Sequence, residues 1–255
     1  MNERARTQLA KLLKYHAQGV FGVEEAANQI AALANVGNIG ELLDAVPNVL
    51  LSAVKTELSL EARRFADEEC LEPEGSPFEE GSSSVYGQYC QRLLSTLFSK
   101  GKLHHKCRAC VFCLPSFEPE WALQLLDSRL DGYSLVMSLP ASQIWEPAPG
   151  ETISVSTLET GIGDDMAIGV LAAWMKMLQR VRYPISPSQG LDGITYHFLG
   201  RGMGGRTWSP DPQTAPGRLV ELSHALRAYV EASEENRCQK GEQIFALIEW
   251  FRQLA

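Results

Sequence analysis

Apolar positions recur with helical spacing through the first 66 residues. Four stretches repeat such positions every three or four residues, which is typical of amphipathic helices: Leu9, Leu12, Leu13 and His16; Val23, Ala26, Ala27, Ile30 and Leu33; Leu42, Leu43 and Val46; and Leu50, Val54, Leu58, Ala62 and Phe65. Glycines separate the first three stretches, and Pro47 suits the first turn of the fourth helix. The pattern predicts a small helical bundle over residues 1–66.

The helical pattern stops at residues 67–84. This segment holds seven acidic residues and no basic one, together with two prolines, two glycines and a run of three serines. Such a composition cannot bury a core of its own. We therefore expect an acidic linker between two domains, with a long surface loop inside a single domain as the alternative.

Residues 85–255 mix two kinds of periodicity. Apolar and β-branched runs bounded by prolines and glycines predict strands over 107–114, 133–139 and 152–158, and a hairpin within 194–208. Helical spacing predicts helices over 86–99, from Pro119 through Trp121, Leu123, Leu125 and Leu126, and over 164–181, 215–232 and 243–254. The predicted fold is α+β, with a mixed or mainly antiparallel sheet packed against helices.

The charge distribution narrows the classes of partner. The chain of 255 residues has a net charge of −8, and the acidic segment supplies almost all of it. A protein that neutralises phosphates needs a basic face, so we expect neither nucleic acid nor an anionic membrane as a partner.

The N-terminus has no apolar run typical of a secretory signal, and the longest apolar stretch, residues 167–175, is far shorter than the ~20 residues that span a bilayer. We expect a cytoplasmic protein.

Three cysteines and two histidines lie close together at 104–113. Cys107, Cys110 and Cys113 follow His104 and His105, a composition that zinc sites favour. On a regular strand, however, Cys107 and Cys113 share one face and Cys110 lies on the other, so the three thiols cannot converge on one ion. We expect buried, reduced cysteines and neither a metal nor another cofactor.

The glycine-rich segment 200–206 is the next candidate. Its last residue, Arg206, is followed by Thr207 and Trp208, whereas a P-loop ends in G-K-[ST]. Nucleotide binding is therefore not expected. The segment instead predicts the turn of a hairpin whose second strand begins near Arg206. Arg and Trp are enriched at protein interfaces. Arg201, Arg206 and Trp208 are therefore the predicted partner-binding residues.

Catalytic residues are harder to assign. His197 lies near Asp192 in sequence, but there is no nucleophile elbow and no recognisable Cys-His context. A histidine inside a strand is usually structural. An enzyme whose site is assembled around His197, Asp192 and one of the central cysteines stays an alternative, because catalytic groups need only meet in space.

One stretch resembles other proteins. Residues 191–230 are similar to the C-terminal part of uncharacterised bacterial proteins of the immunity or accessory type, which are encoded beside toxins. The residues that carry this resemblance are Asp192, Gly193, Tyr196, Phe198, Thr207, Trp208, Ser209, Pro210, Leu219 and Val220. The resemblance implies a fold and a toxin as partner, and it brings no catalytic motif.

These observations favour a non-catalytic protein-binding protein, of the kind that neutralises a bacterial toxin. The enzyme around His197 and Asp192 is the second hypothesis. The third is a structural protein that self-assembles through the helices of residues 1–66. The sequence does not fix the oligomeric state.

Overall fold

The structure is a computed structural model that describes residues 7–13, 26–27, 29–30, 45–47, 50, 53–55, 68–73, 85–98, 104–128, 132–145, 152–183 and 192–254. The chain divides into two compact units, Met1–Ala66 and Asp67–Ala255. In the first unit, the described residues include a helical segment at 7–13 and one cluster of buried apolar side chains: Leu9, Ala26, Ala27, Ile30, Val46, Leu50 and Val54. The rest of the predicted bundle lies outside the described residues.

The second unit is α+β, as predicted, and its sheet is antiparallel throughout. In chain order its elements are β1 (Glu72–Pro73), α1 (Val85–Leu97), β2 (Cys107–Pro115), β3 (Trp121–Asp127), β4 (Tyr133–Pro140), β5 (Val155–Ile162), α2 (Asp164–Leu178), β6 (Ile194–Gly200), β7 (Met203–Trp208), α3 (Ala215–Glu231) and α4 (Glu234–Gln253). The seven strands lie in the order β1-β7-β6-β2-β3-β4-β5.

Both faces of the sheet are covered by helices. The larger core joins one face to α2, α3 and α4, and includes Val111, Cys113 and Trp174. The smaller core joins the opposite face to α1, and includes Cys110 and Phe112. Because side chains alternate along a strand, β2 sends neighbouring residues into different cores. A strand buried on both faces reads as a continuous apolar run, which is how β2 appears in the sequence.

The segment after Pro119 is a strand, and the prediction of a helix there is wrong. Trp121, Leu123 and Leu125 point into the larger core, whereas Ala122 faces the smaller one. Short apolar runs fit either period, so the sequence alone does not decide between them. Pairing with β2 and β4 on both sides settles the segment as β3.

A β-bulge changes the predicted arrangement of the three cysteines. The register of β2 against β3 shifts between Cys107 and Ala109. The extra residue reverses the alternation before it, so Cys107 packs beside Cys110 on the smaller core and Cys113 alone belongs to the larger core. The expectation that Cys107 and Cys113 share a face is therefore wrong.

Part of the predicted acidic linker belongs to the sheet. Leu71 is fully buried in the larger core, and Glu72 pairs with Arg206 across β1 and β7. The Glu69 carboxylate accepts a hydrogen bond of 2.9 Å from the backbone N–H of Ala215, at the start of α3, where negative charge is favourable. The linker prediction is thus wrong for residues 68–73, while residues 74–84 lie outside the described part of the chain.

The predicted hairpin is present, with a tighter turn. Gly200 pairs with Met203, which leaves a two-residue turn at Arg201 and Gly202. Both turn residues have positive φ, 49° and 77°, as type I′ turns require. Position 205, within β7, requires a glycine because Leu71 packs closely against it. A Cβ there would lie 3.0 Å from the Leu71 Cβ.

Among the described residues, no helix combines the length and the apolar character needed to cross a membrane.

The start of α3 gives a test of this packing. A Cβ on Gly217 would overlap the carbonyl oxygen of Asp211 and lie 2.8 Å from the Cα of Pro212. Because backbone atoms must shift to relieve this overlap, we expect Gly217→Ala to lower the free energy of unfolding by about 3 kcal/mol. Urea unfolding measures the change. Gly161→Ala is the control, since nothing lies within 4 Å of its Cβ position; equal effects of the two variants would contradict the packing.

Candidate functional site

The three predicted binding residues do not form one patch. Arg201 lies in the β6–β7 turn, whereas Trp208 is the last residue of β7. The five residue steps from Met203 to Trp208 span about 17 Å in an extended strand. Arg206 and Trp208 lie on the same face of β7, but the Arg206 guanidinium makes an ion pair of 3.1 Å with Glu72. Of the two arginines, Arg201 is the one that makes no ion pair in the described part of the chain.

The residues of the enzyme alternative are also apart. His197 lies in the middle of β6 and is fully buried. Asp192 precedes β6 and is exposed. Cys113 points into the larger core, and His197 faces the opposite side, because its neighbours Tyr196 and Phe198 belong to that core. The structure therefore brings neither Asp192 nor Cys113 to His197. Cys110 lies on the same face as His197, but it is buried and stands opposite Leu199, two residues further along β6.

A different group of aromatic side chains lies at one end of the sheet. Phe117, in the β2–β3 loop, is 77% exposed, and Trp145, just after β4, is 45% exposed. Trp208 ends β7 at the same end and is half-buried. The strand registers place all three at this end of the sheet, spread from β7 to the loop after β4, since β2 and β4 end there and β3 and β6 begin there. We call Phe117, Trp145 and Trp208 the strand-end surface.

Hydrogen bonds between loops hold this surface in place. The Ser116 hydroxyl donates to the carbonyl of Gly193 (2.9 Å) and accepts from its N–H (3.1 Å). The Gln143 side chain donates to the carbonyls of Ser116 and Glu118, both at 3.3 Å. The indole of Trp208 covers Gly193, where a Cβ would lie 2.6 Å from its Cε2. Loops fixed in this way lose little conformational entropy when they bind.

A buried carboxylate anchors Trp145. Glu120 is 2% exposed and accepts hydrogen bonds from the backbone N–H groups of Ile144 (2.7 Å) and Trp145 (3.1 Å). It also accepts from the Tyr89 hydroxyl of α1, at 2.8 Å. The ring of Tyr89 in turn packs edge-on against Trp145, with centroids 4.6 Å apart. One carboxylate therefore ties α1, the start of β3 and the loop after β4 together.

A second polar cluster lies under the α3 side of the same end. The Tyr196 hydroxyl and the His224 Nε2 are 2.9 Å apart. His224 packs edge-on against Trp121, with ring centroids at 5.5 Å, and the Arg227 guanidinium lies 5.3 Å from the Trp121 ring centroid. Cys113 lies directly opposite Tyr196 in the pairing of β2 with β6. The cluster thus leads from an exposed imidazole to a buried thiol.

The electrostatics of this cluster do not favour nucleophilic catalysis. Burial raises the pKa of the Cys113 thiol to about 12, and burial also raises the pKa of the Tyr196 hydroxyl well above its usual value. Burial and the Arg227 charge lower the pKa of His224. An activated nucleophile needs a lowered pKa or an adjacent base that takes its proton. Tyr196 has the adjacent imidazole of His224, but the raised pKa of the hydroxyl and the lowered pKa of the imidazole disfavour proton transfer between them. The hydroxyl and the Cys113 thiol stay neutral, which suits hydrogen-bonded packing.

Metal binding finds no support in the described ranges. Within them, no three His, Cys, Asp or Glu side chains are grouped so as to hold a metal ion. The β-bulge separates Cys113 from the other two cysteines of β2, so these thiols do not form a common ligand set.

Sequence reasoning missed Phe117, Trp145 and the role of Glu120. A signal for Phe117 was available, because a large apolar residue between Ser116 and the Glu118-Pro119 pair is unusual in a turn. Trp145 and Glu120 gave none, since their relation depends on two loops separated by 25 residues.

Removing the Glu120 carboxylate tests the anchoring of the loop. Glu120→Ala leaves two backbone N–H groups and one hydroxyl without their acceptor, so we expect a loss of about 3 kcal/mol in the free energy of unfolding. The intrinsic fluorescence should also shift as Trp145 is released. Glu118→Ala, two residues away and exposed, should change stability by less than ~0.5 kcal/mol. A stable Glu120→Ala protein with unchanged fluorescence would show that the carboxylate is not the anchor.

Comparison with known proteins gives no match: no family model fits the chain, and no curated protein and no solved structure is similar to it. Function must therefore be inferred from the arrangement of the described side chains.

Proposed function

We propose that this protein binds another protein through the strand-end surface and that it does so without catalysis. The observation that carries the proposal is the exposure of Phe117, Trp145 and Trp208 at one end of the sheet, on loops that hydrogen bonds join to one another. Aromatic side chains account for much of the binding energy at protein interfaces, above all where they are held rigid beforehand. Two of these three are at least 45% exposed.

The chemistry beneath the surface supports binding over reaction. Cys113 and Tyr196 lie beneath it, and burial raises the pKa of both groups. His197, the centre of the enzyme alternative, is buried on the face of the sheet opposite to Cys113 and Tyr196. Among the described residues, this end of the sheet therefore offers aromatic and polar groups for recognition.

The predicted binding set changes accordingly. Trp208 stays in it, and Phe117 and Trp145 join it. Arg206 is the weaker candidate because its guanidinium is engaged by Glu72. Arg201 is a separate hypothesis, since it lies at the opposite end of β7. Self-assembly through residues 1–66 stays a prediction, because most of that unit lies outside the described residues.

We further propose that the partner is a toxin, which the protein neutralises by occupying it. The support is the resemblance of residues 191–230 to immunity-type proteins. A neutralising protein needs affinity and no chemistry, which fits a rigid aromatic surface.

The test compares partner capture by two matched variants. The binding variant carries Phe117→Ala, Trp145→Ala and Trp208→Ala. The control carries Tyr183→Ala and Phe245→Ala, which remove aromatic rings that are 84% and 43% exposed elsewhere. Proteins captured from the native host by the wild type and the control, and lost from the binding variant, are the partners. The dissociation constant for each is then measured by calorimetry.

We expect the three substitutions of the binding variant to raise the dissociation constant by at least ~100-fold, since each interface anchor often contributes ~2 kcal/mol or more. The control and Arg201→Ala should bind like the wild type. For the toxin proposal, the partner expressed alone should arrest growth, and only proteins with an intact strand-end surface should restore it. Equal affinity of the binding variant and the wild type would refute the proposal.

A further inference from the structure

Two thiols near the start of β2 have no part in the strand-end surface. Cys107 and Cys110 are separated by Arg108 and Ala109. In a regular strand, residues three apart face opposite sides. The bulge between Cys107 and Ala109 cancels this alternation, so both cysteines lie on the α1 face, opposite Leu126 and Gln124 of β3. Both pack with the smaller core.

The two thiols have unequal surroundings. Cys107 is partly exposed, whereas Cys110 is 1% exposed. The Cys107 thiol donates to the carbonyl of Ala109 at 3.2 Å. Hydrogen bonding from Cys110 lowers the pKa of Cys107, against the effect of burial, and the Arg108 charge lowers it further. Burial raises the pKa of Cys110 well above its usual value. One thiol is therefore accessible and disposed to ionise, and its neighbour is buried and protonated.

The residue after Cys107 carries a positive charge that lowers the pKa of its thiol. Arg108 is held by Asp127 through its Nε at 3.0 Å and its Nη2 at 2.8 Å. An arginine next to a cysteine stabilises the thiolate, which is the reactive form. Three residue steps of an extended strand span about 10 Å, whereas a disulfide needs Cα atoms within about 7 Å. Cys107, the first residue of β2, therefore has to leave its pairing with Leu126 and move toward Cys110, while the pairing from Ala109 onward is kept.

We propose that Cys107 and Cys110 are a redox-active dithiol that a hydroperoxide converts into an intramolecular disulfide. The Cys107 thiolate attacks one peroxide oxygen, the O–O bond breaks, and the second oxygen leaves as hydroxide or an alcohol. Cys107 is then a sulfenic acid. The Cys110 thiol attacks this sulfur, the S–O bond breaks, and the hydroxyl leaves as water with the proton of the thiol. Two electrons pass from the sulfurs to the peroxide.

The neighbouring cysteines provide internal comparisons. Cys113 points into the larger core on the opposite face of β2, so it cannot take the place of Cys110 without refolding the strand. Cys238 is exposed on α4 and reports the reactivity of a thiol outside the pair.

The wild-type chain tests the proposal directly. The protein is treated with hydrogen peroxide, its remaining thiols are alkylated, and it is digested with trypsin without reduction for mass spectrometry. Trypsin cleaves after Lys106 and Arg108, so Cys107 and Cys110 fall on different peptides, whereas Cys110 and Cys113 share one. We expect a linked pair of peptides that lacks two hydrogens. A bond within the Cys110–Cys113 peptide, or oxidation of Cys238 before any linked pair forms, would overturn the proposal.

Two variants test the order of the steps. In Cys110→Ala the second thiol is gone, so we expect the Cys107 sulfenic acid to accumulate and to be labelled by dimedone. Cys113→Ala is the control and should still give the linked peptides. Circular dichroism confirms that each variant is folded. Dimedone labelling of Cys107 that is equal in the wild type and in Cys110→Ala would show that Cys110 does not resolve the intermediate.

Discussion

The pairing of β2 with β6 is the contact on which the second unit depends. It joins the β3–β4–β5 meander to the β6–β7 hairpin across more than 80 residues of chain, with Val111 opposite Phe198. Both faces of β2 are buried, so its loss would open the two cores together. Long-range pairing of this kind is costly in chain entropy, and burial on both faces offsets that cost. The same strand also carries the loop of Phe117 at one end and the dithiol at the other.

Local patterns in the sequence were enough for several elements. The alternation of Ile194, Tyr196 and Phe198 identifies β6, and the apolar stretch after Asp164 identifies α2, because each pattern reflects one buried face. The α+β class follows from these elements. The position of β3 did not follow, since Trp121, Leu123 and Leu125 fit either period and only pairing with two neighbouring strands decides the matter.

Features that depend on contacts distant in sequence could not be predicted. The acids of residues 68–73 look like part of a linker, but Glu69 meets the start of α3 and Glu72 meets Arg206. The bulge at Cys107 leaves no mark on the composition, yet it decides which thiols are neighbours. Of the predicted binding residues, Trp208 lies at the same end of the sheet as Phe117 and Trp145, whereas Arg201 lies at the far end of the hairpin. Which residues form the surface is thus a property of strand register.

Hydrogen exchange of the backbone amides measures the central role of β2 most directly. If the β2–β6 pairing holds the unit together, the amides of Ala109 to Cys113 exchange only through global unfolding, and their free energies of opening equal the free energy of unfolding from urea. The amides of the edge strand β5, which is largely exposed between Ser156 and Glu159, then exchange faster. Exchange of the β2 amides as fast as those of β5 would contradict this account.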